Sequence, residues 1–145
     1  MSKTAANTPR GRAGNPFTPW VPAGIWSAVV YTLSAQSALP NPRQWGITDK
    51  GAHFIVFAVL GLTLAYGRYR SPRRTPHWLI VVAGLLYAVM DEVHQAFVPN
   101  RHPDVADFIA DAGGVLVGYG LVVAVMVVVG AISRSFASRR KFTRP

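Results

Sequence analysis

Asp91-Glu92-Val93-His94-Gln95-Ala96-Phe97-Val98-Pro99-Asn100-Arg101-His102-Pro103-Asp104-Val105-Ala106-Asp107-Phe108-Ile109-Ala110-Asp111 is where this chain keeps its acid. Only 6 of the 145 residues are Asp or Glu, and all but Asp49 lie in this stretch. A soluble domain spreads its acids over its surface. Here they are gathered beside long apolar runs, where a charge is costly and serves a purpose. Asp104, Asp107 and Asp111 recur at i, i+3 and i+7, one stripe of a helix, and Pro99 and Pro103 mark a short loop before them.

Working outward, residues 78–97 read as an apolar helix whose last two turns carry the first acids, and residues 105–133 as a long apolar helix that begins with the others. Residues 51–67 form another span, capped by Thr48 or Asp49. Residues 20–39 carry no charge over 20 positions, the length a bilayer crossing needs at about 1.5 Å per residue. Trp20 and Trp26 suit an interfacial start, and Pro40-Asn41-Pro42 ends this helix. Ser27, Tyr31 and Ser34 form a polar stripe turned toward other helices. The expected architecture is all-α: a polytopic membrane protein with four transmembrane helices in an antiparallel bundle over residues 20–133. A disordered basic tail, 1–19, precedes it, and a second basic tail, 134–145, follows. Ala110, Gly114 and Gly118 repeat every four residues, a pattern that lets helices approach closely. The same face is open to two uses, a homo-oligomer or packing within the bundle.

The 15 Lys and Arg give a net charge of +9. They sit between the apolar runs and in the tails rather than along a soluble helix, which argues against nucleic acid as a partner. With no cysteine, disulfides, zinc-thiolate sites and thiol nucleophiles are excluded. The N-terminal region lacks a signal-peptide pattern. If the N-terminus is inside, the inner segments hold 12 of the basic residues and the outer ones hold 3, Arg43, Lys50 and Arg101. This bias predicts an inner-membrane protein with both termini cytoplasmic. The tails then act as topology determinants, in contact with membrane lipids.

That topology brings three polar groups to the outer leaflet: Asp49, Lys50 and His53 from the second helix, residues 91–95 from the third, and Asp104, Asp107 and Asp111 from the fourth. Carboxylates there must be paired. The expected counter-charges are Lys50 and Arg101, reaching Glu92, Asp107 or Asp111, with His53 or His94 protonated. Asp91 and Asp104 read as exposed caps or interface residues, and His77 and His102 as ordinary loop residues. Candidate acid–base groups are Glu92, Asp107 and His53. A metal set of His53, Glu92, His94 and Asp107 is conceivable, but Glu92 and His94 point to different sides of one helix, so no metal and no cofactor is expected. No hydroxyl or thiol nucleophile sits beside a histidine. Structural locking of the bundle is the plain alternative to a binding pocket.

These residues carry a resemblance. Asp49-Lys50-x-x-His53-Phe54, Asp91-Glu92-x-x-Gln95, Pro99-x-Arg101, and Asp107 with Asp111, Gly114 and Gly118 resemble the VanZ-like family of small bacterial membrane proteins over residues 22–130, with Ser34 and Gln36 matching an element near the end of the first helix. The family often has Asn at the position of Asp111 and Gly at that of Asn100. The resemblance implies a functional pocket of Asp49, Lys50, His53, Glu92, Gln95, Arg101, Asp107 and Asp111. It also implies a link to resistance against teicoplanin, a lipoglycopeptide. The function expected is binding of a lipid-linked cell-wall precursor or lipoglycopeptide at the outer leaflet, in glycopeptide resistance or envelope homeostasis. A membrane enzyme acting on a lipid headgroup, and a small proton-linked transporter, are the alternatives.

Overall fold

The computed structural model describes residues 15–37, 44 and 46–142, with backbone alone from 137 onward. Pro40, Asn41, Pro42 and Arg43 lie outside the described residues, as do 1–14. Four α-helices follow a short 3-10 turn at Thr18–Trp20: α1 Val21–Ser34, α2 Asp49–Arg70, α3 His77–Gln95 and α4 Val105–Phe142. No strand occurs among the described residues.

Three of these helices are long and apolar enough to cross a membrane: Asp49–Arg70, His77–Gln95 and Val105–Phe136. α1 is shorter than the expected 20–39, because its end is pinned. Ala35 N–H donates to the Tyr31 carbonyl and Gln36 N–H to that of Leu33, which tightens the last turn. Ser34 is itself held by Asp91. At the other end of the chain α4 continues as helix to Phe142 rather than stopping at 133, since no proline or glycine interrupts it after Gly130. Asn15 is also ordered, its Oδ1 accepting from Phe17 N–H just before the 3-10 turn.

Sequence chemistry explains the helix starts. Thr48 caps α2, its Oγ1 accepting from Gly51 N–H at 3.0 Å. Asp104 caps α4, its Oδ1 accepting from Ala106 N–H at 2.9 Å. The loop between α3 and α4 turns at Pro99-Asn100. Asn100 has φ 62°, and Arg101 N–H donates to the Val98 carbonyl at 3.1 Å. Proline followed by a left-handed Asn is the signature of a type II turn, which explains why Asn or Gly suits this position.

The tightest pairing is α2 with α4, made through backbone. A Cβ on Gly114 would collide with the Phe54 carbonyl, one on Gly118 with the Ala58 carbonyl, and one on Gly61 with the Val115 carbonyl. Contacts 54 to 114 and 58 to 118 advance in step, so the two helices run in the same direction. The small-residue face of α4 is thus spent inside the chain. α3 runs the opposite way across both, with Gly84 against Val115 and Leu64. Val30, Phe57, Leu60, Ala88 and Val115 form the core between them. Trp26 Nε1 donates to the Val56 carbonyl at 2.9 Å and Tyr87 Oη to that of Ser27, which ties α1 on. Large apolar side chains such as Leu86, Met90, Ile109, Leu121 and Val128 are more than half exposed, as expected of a surface that meets lipid.

Candidate functional site

The tight, parallel α2–α4 seam has a direct consequence: the first turns of both helices end up side by side. α3, running oppositely, brings its last turns to the same place. All six acids therefore converge at one end of the bundle, here called the acidic end.

Lys50 donates to Asp104 Oδ2 and Asp107 Oδ1, both at 2.8 Å. Its side chain remains 49% exposed, so this bridge forms the rim of the site. The ammonium beside Asp104, together with the Ala106 N–H, holds that carboxyl below the usual aspartate range. One turn deeper, His53 Nδ1 lies 3.0 Å from Asp111 Oδ1. Asp111 is fully buried. From α3, Glu92 Oε2 accepts the Asp104 backbone N–H at 2.9 Å, which staples the end of α3 to the start of α4. Asp91 accepts from Ser34 Oγ on α1 through Oδ1, and from Gln95 Nε2 at 2.9 Å through Oδ2.

Most of the expected residues do meet here. Lys50, His53, Glu92, Gln95, Asp107 and Asp111 share the site, and Asp49 lies at its exposed edge. The expected pairing of Lys50 with Asp107 is present. Arg101 departs from expectation. Its Nε donates to the Gln36 carbonyl at 3.2 Å, and no carboxylate among the described residues pairs with it. The loop position of Arg101 aims it across to the end of α1 instead of into the acids. His94 also turns away, its ring lying 4.6 Å from that of Tyr31.

Asp91 corrects the reading of an exposed cap. It is 5% exposed and bonded on both oxygens. The signal for this was present in Ser34, a polar residue on the stripe expected to face other helices, and in Gln95 one turn beyond Asp91. His77 corrects another expectation. It opens α3 and its Nδ1 lies 2.8 Å from the Tyr119 hydroxyl, at the opposite end of the bundle. His102 is an exposed loop residue, and Asp104 is an exposed cap.

Two sets of side chains bring oxygen and nitrogen atoms close enough to share an ion. In one, His53, Asp91, Glu92 and Asp111 each offer an atom within 4.8 Å of all the others; the second set is Asp49, His53 and Asp107. Glu92 Oε1 and Asp111 Oδ2 are buried and have no hydrogen-bond partner.

Long apolar helices with this buried polar end define a multi-pass membrane protein. Residues 3–128 match the model of the VanZ/LLP1 family, and the chain belongs to that family. Membership suggests a teicoplanin-resistance-type function at the level of the family. No curated protein and no solved structure matches the chain.

Proposed function

We propose that the protein is a four-span inner-membrane protein with both termini cytoplasmic, whose acidic end opens to the outer leaflet. There it binds the polar headgroup of a lipid-linked envelope precursor or a lipoglycopeptide, contributing to teicoplanin-type resistance or envelope homeostasis. The observation that carries this reading is the buried polar group assembled from three helices, with Glu92 Oε1 and Asp111 Oδ2 left unpartnered within it. An unpaired buried polar atom costs about 1–3 kcal/mol. Of the four such atoms among the described residues, Arg68 Nε and His94 Nε2 lie apart, whereas these two oxygens belong to side chains that meet in one cluster. Lys50, half exposed at the rim, is the group that meets a ligand's anionic part. The distribution of basic residues supports the orientation. For the first span, the 3 residues of the 3-10 turn and the 14 of α1 together reach 17, the lower limit of a crossing.

The His53–Asp111 pair at 3.0 Å beside Glu92 favours a second reading, an enzyme that moves protons on a lipid headgroup. A transporter needs polar groups through the middle of the bundle, and the core there is Val30, Phe57, Leu60, Ala88 and Val115.

The test expresses the wild type, Lys50→Ala and Glu92→Gln in a susceptible bacterial host and measures teicoplanin susceptibility, with protein level and thermal stability checked in each. The wild type is expected to protect and both variants to lose protection while remaining folded. Full protection by folded Glu92→Gln overturns the reading, and so does a wild type that gives none. Turnover of a phospholipid and polyprenyl-phosphate panel by purified protein, abolished by His53→Ala, decides for the enzyme.

A further inference from the structure

We propose that His53, Asp91, Glu92 and Asp111 form a binding site for one divalent first-row transition ion, of the manganese or zinc type. The inference stands on these side chains alone and does not depend on what the acidic end binds.

Geometry comes first. Two ligands of one ion can be no farther apart than twice the metal–ligand bond, about 4.0–4.4 Å for bonds of 2.0–2.2 Å and somewhat more for longer ones. One atom from each of the four residues lies within 4.8 Å of all the others, so small rotations of the side chains suffice to close on an ion. Charge comes next. Three carboxylates, 5%, 8% and 0% exposed, face one imidazole. The nearby cations are committed elsewhere: Lys50 to Asp104 and Asp107, and Arg101 to the Gln36 carbonyl. Burying several carboxylates without compensation is costly, and a dication supplies the missing charge.

Two of the four residues bring a free oxygen, Glu92 Oε1 and Asp111 Oδ2, both buried and without a partner. Asp91 would share oxygens already bonded to Ser34 and Gln95, and His53 Nδ1 lies against Asp111 Oδ1. The remaining atoms are held from outside. Ser34 and Gln95 fix Asp91, and the Asp104 N–H fixes Glu92 through Oε2, the support that metal ligands characteristically receive. One imidazole with three carboxylates and no sulfur suits manganese, iron or zinc rather than a thiophilic ion.

The experiment uses the full-length chain, without an affinity tag, in detergent. It is stripped with a chelator and titrated with Mn²⁺, Zn²⁺, Mg²⁺ or Ca²⁺, with bound metal measured by mass spectrometry and stability by thermal unfolding. The expected result is about one Mn²⁺ or Zn²⁺ per chain and a rise in melting temperature of several degrees at saturation. Glu92→Gln and Asp91→Asn should weaken binding at least ~10-fold, as losses around metal sites do. Asp49→Asn should leave it unchanged. No retained ion and no shift with any of the four metals overturns the site. Binding lost in Asp49→Asn but kept in Glu92→Gln also overturns it, since the ion would then sit in the outer group of Asp49, His53 and Asp107. If Glu92→Gln does not fold, Asp91→Asn supplies the same comparison.

Discussion

The two ends of the bundle solve opposite problems. At the acidic end, Asp91, Glu92, Asp107 and Asp111 are buried, and three helices supply their partners, with Ser34 reaching in from α1. At the other end there is no acid. Arg68 lies 5.9 Å from the centre of the Tyr69 ring, Arg73 lies 5.5 Å from that of Phe17, and Tyr69 and Tyr119 both set an edge or face to His77. Trp20 packs where a side chain on Gly67 would go. The difference follows from stem length. Arginine carries its charge on a long apolar stem and can reach water while the stem packs. Aspartate has one methylene, so a buried Asp has to find its partner in the protein. The basic end is built from arginines set beside ring faces; the acidic end is a network of hydrogen bonds and ion pairs.

This contrast can be broken by measurement. The largest effect is expected for Asp111→Ala, which removes the partner of His53 in the buried network. We expect a loss of about 3 kcal/mol in denaturant unfolding from detergent, the lower end of what breaking a buried ion pair costs. A cost under ~1 kcal/mol would mean that the network contributes little. Next comes the seam that holds the two ends in register. Gly118→Val forces branched carbons against the Ala58 carbonyl and should cost about 1–3 kcal/mol. If the seam sets the acidic end, this change should also disturb His53, which lies on α2 before Ala58 and is paired with Asp111, about two turns before Gly118 on α4, readable as altered exchange of its ring by NMR. Smallest is Tyr119→Phe, which deletes the hydroxyl that meets His77. About 0.6 kcal/mol is expected, the mean for a hydrogen bond between membrane helices. A loss as large as that of Asp111→Ala would erase the distinction between the ends.

Much of this was legible in the residues. The concentration of acid, the i, i+3, i+7 stripe, the capping Thr48 and the turn at Pro99-Asn100 are local signals, set within a few positions of chain. The charge bias between segments and the family resemblance then gathered Asp49, Lys50, His53, Glu92, Gln95, Arg101, Asp107 and Asp111, of which Arg101 turns to the Gln36 carbonyl instead. Asp91 and His77 were misread because exposure is decided by what packs opposite, and their partners are 57 and 42 residues away. The length of α1 was misread for the same reason, since its end is fixed by Asp91 and Arg101 from another part of the chain.

What the sequence determined by itself is the all-helical membrane class and the identity of the acidic end, because apolar run length and the cost of stray charge act along the chain. Pairing was decided only in the tertiary structure. Helix–helix contact chose Asp104 and Asp107 for Lys50, gave His53 to Asp111, sent Arg101 to the Gln36 carbonyl and left two buried oxygens unpartnered. A charged side chain takes the partner that packing brings within about 3 Å, and the close α2–α4 seam sets which partners those are.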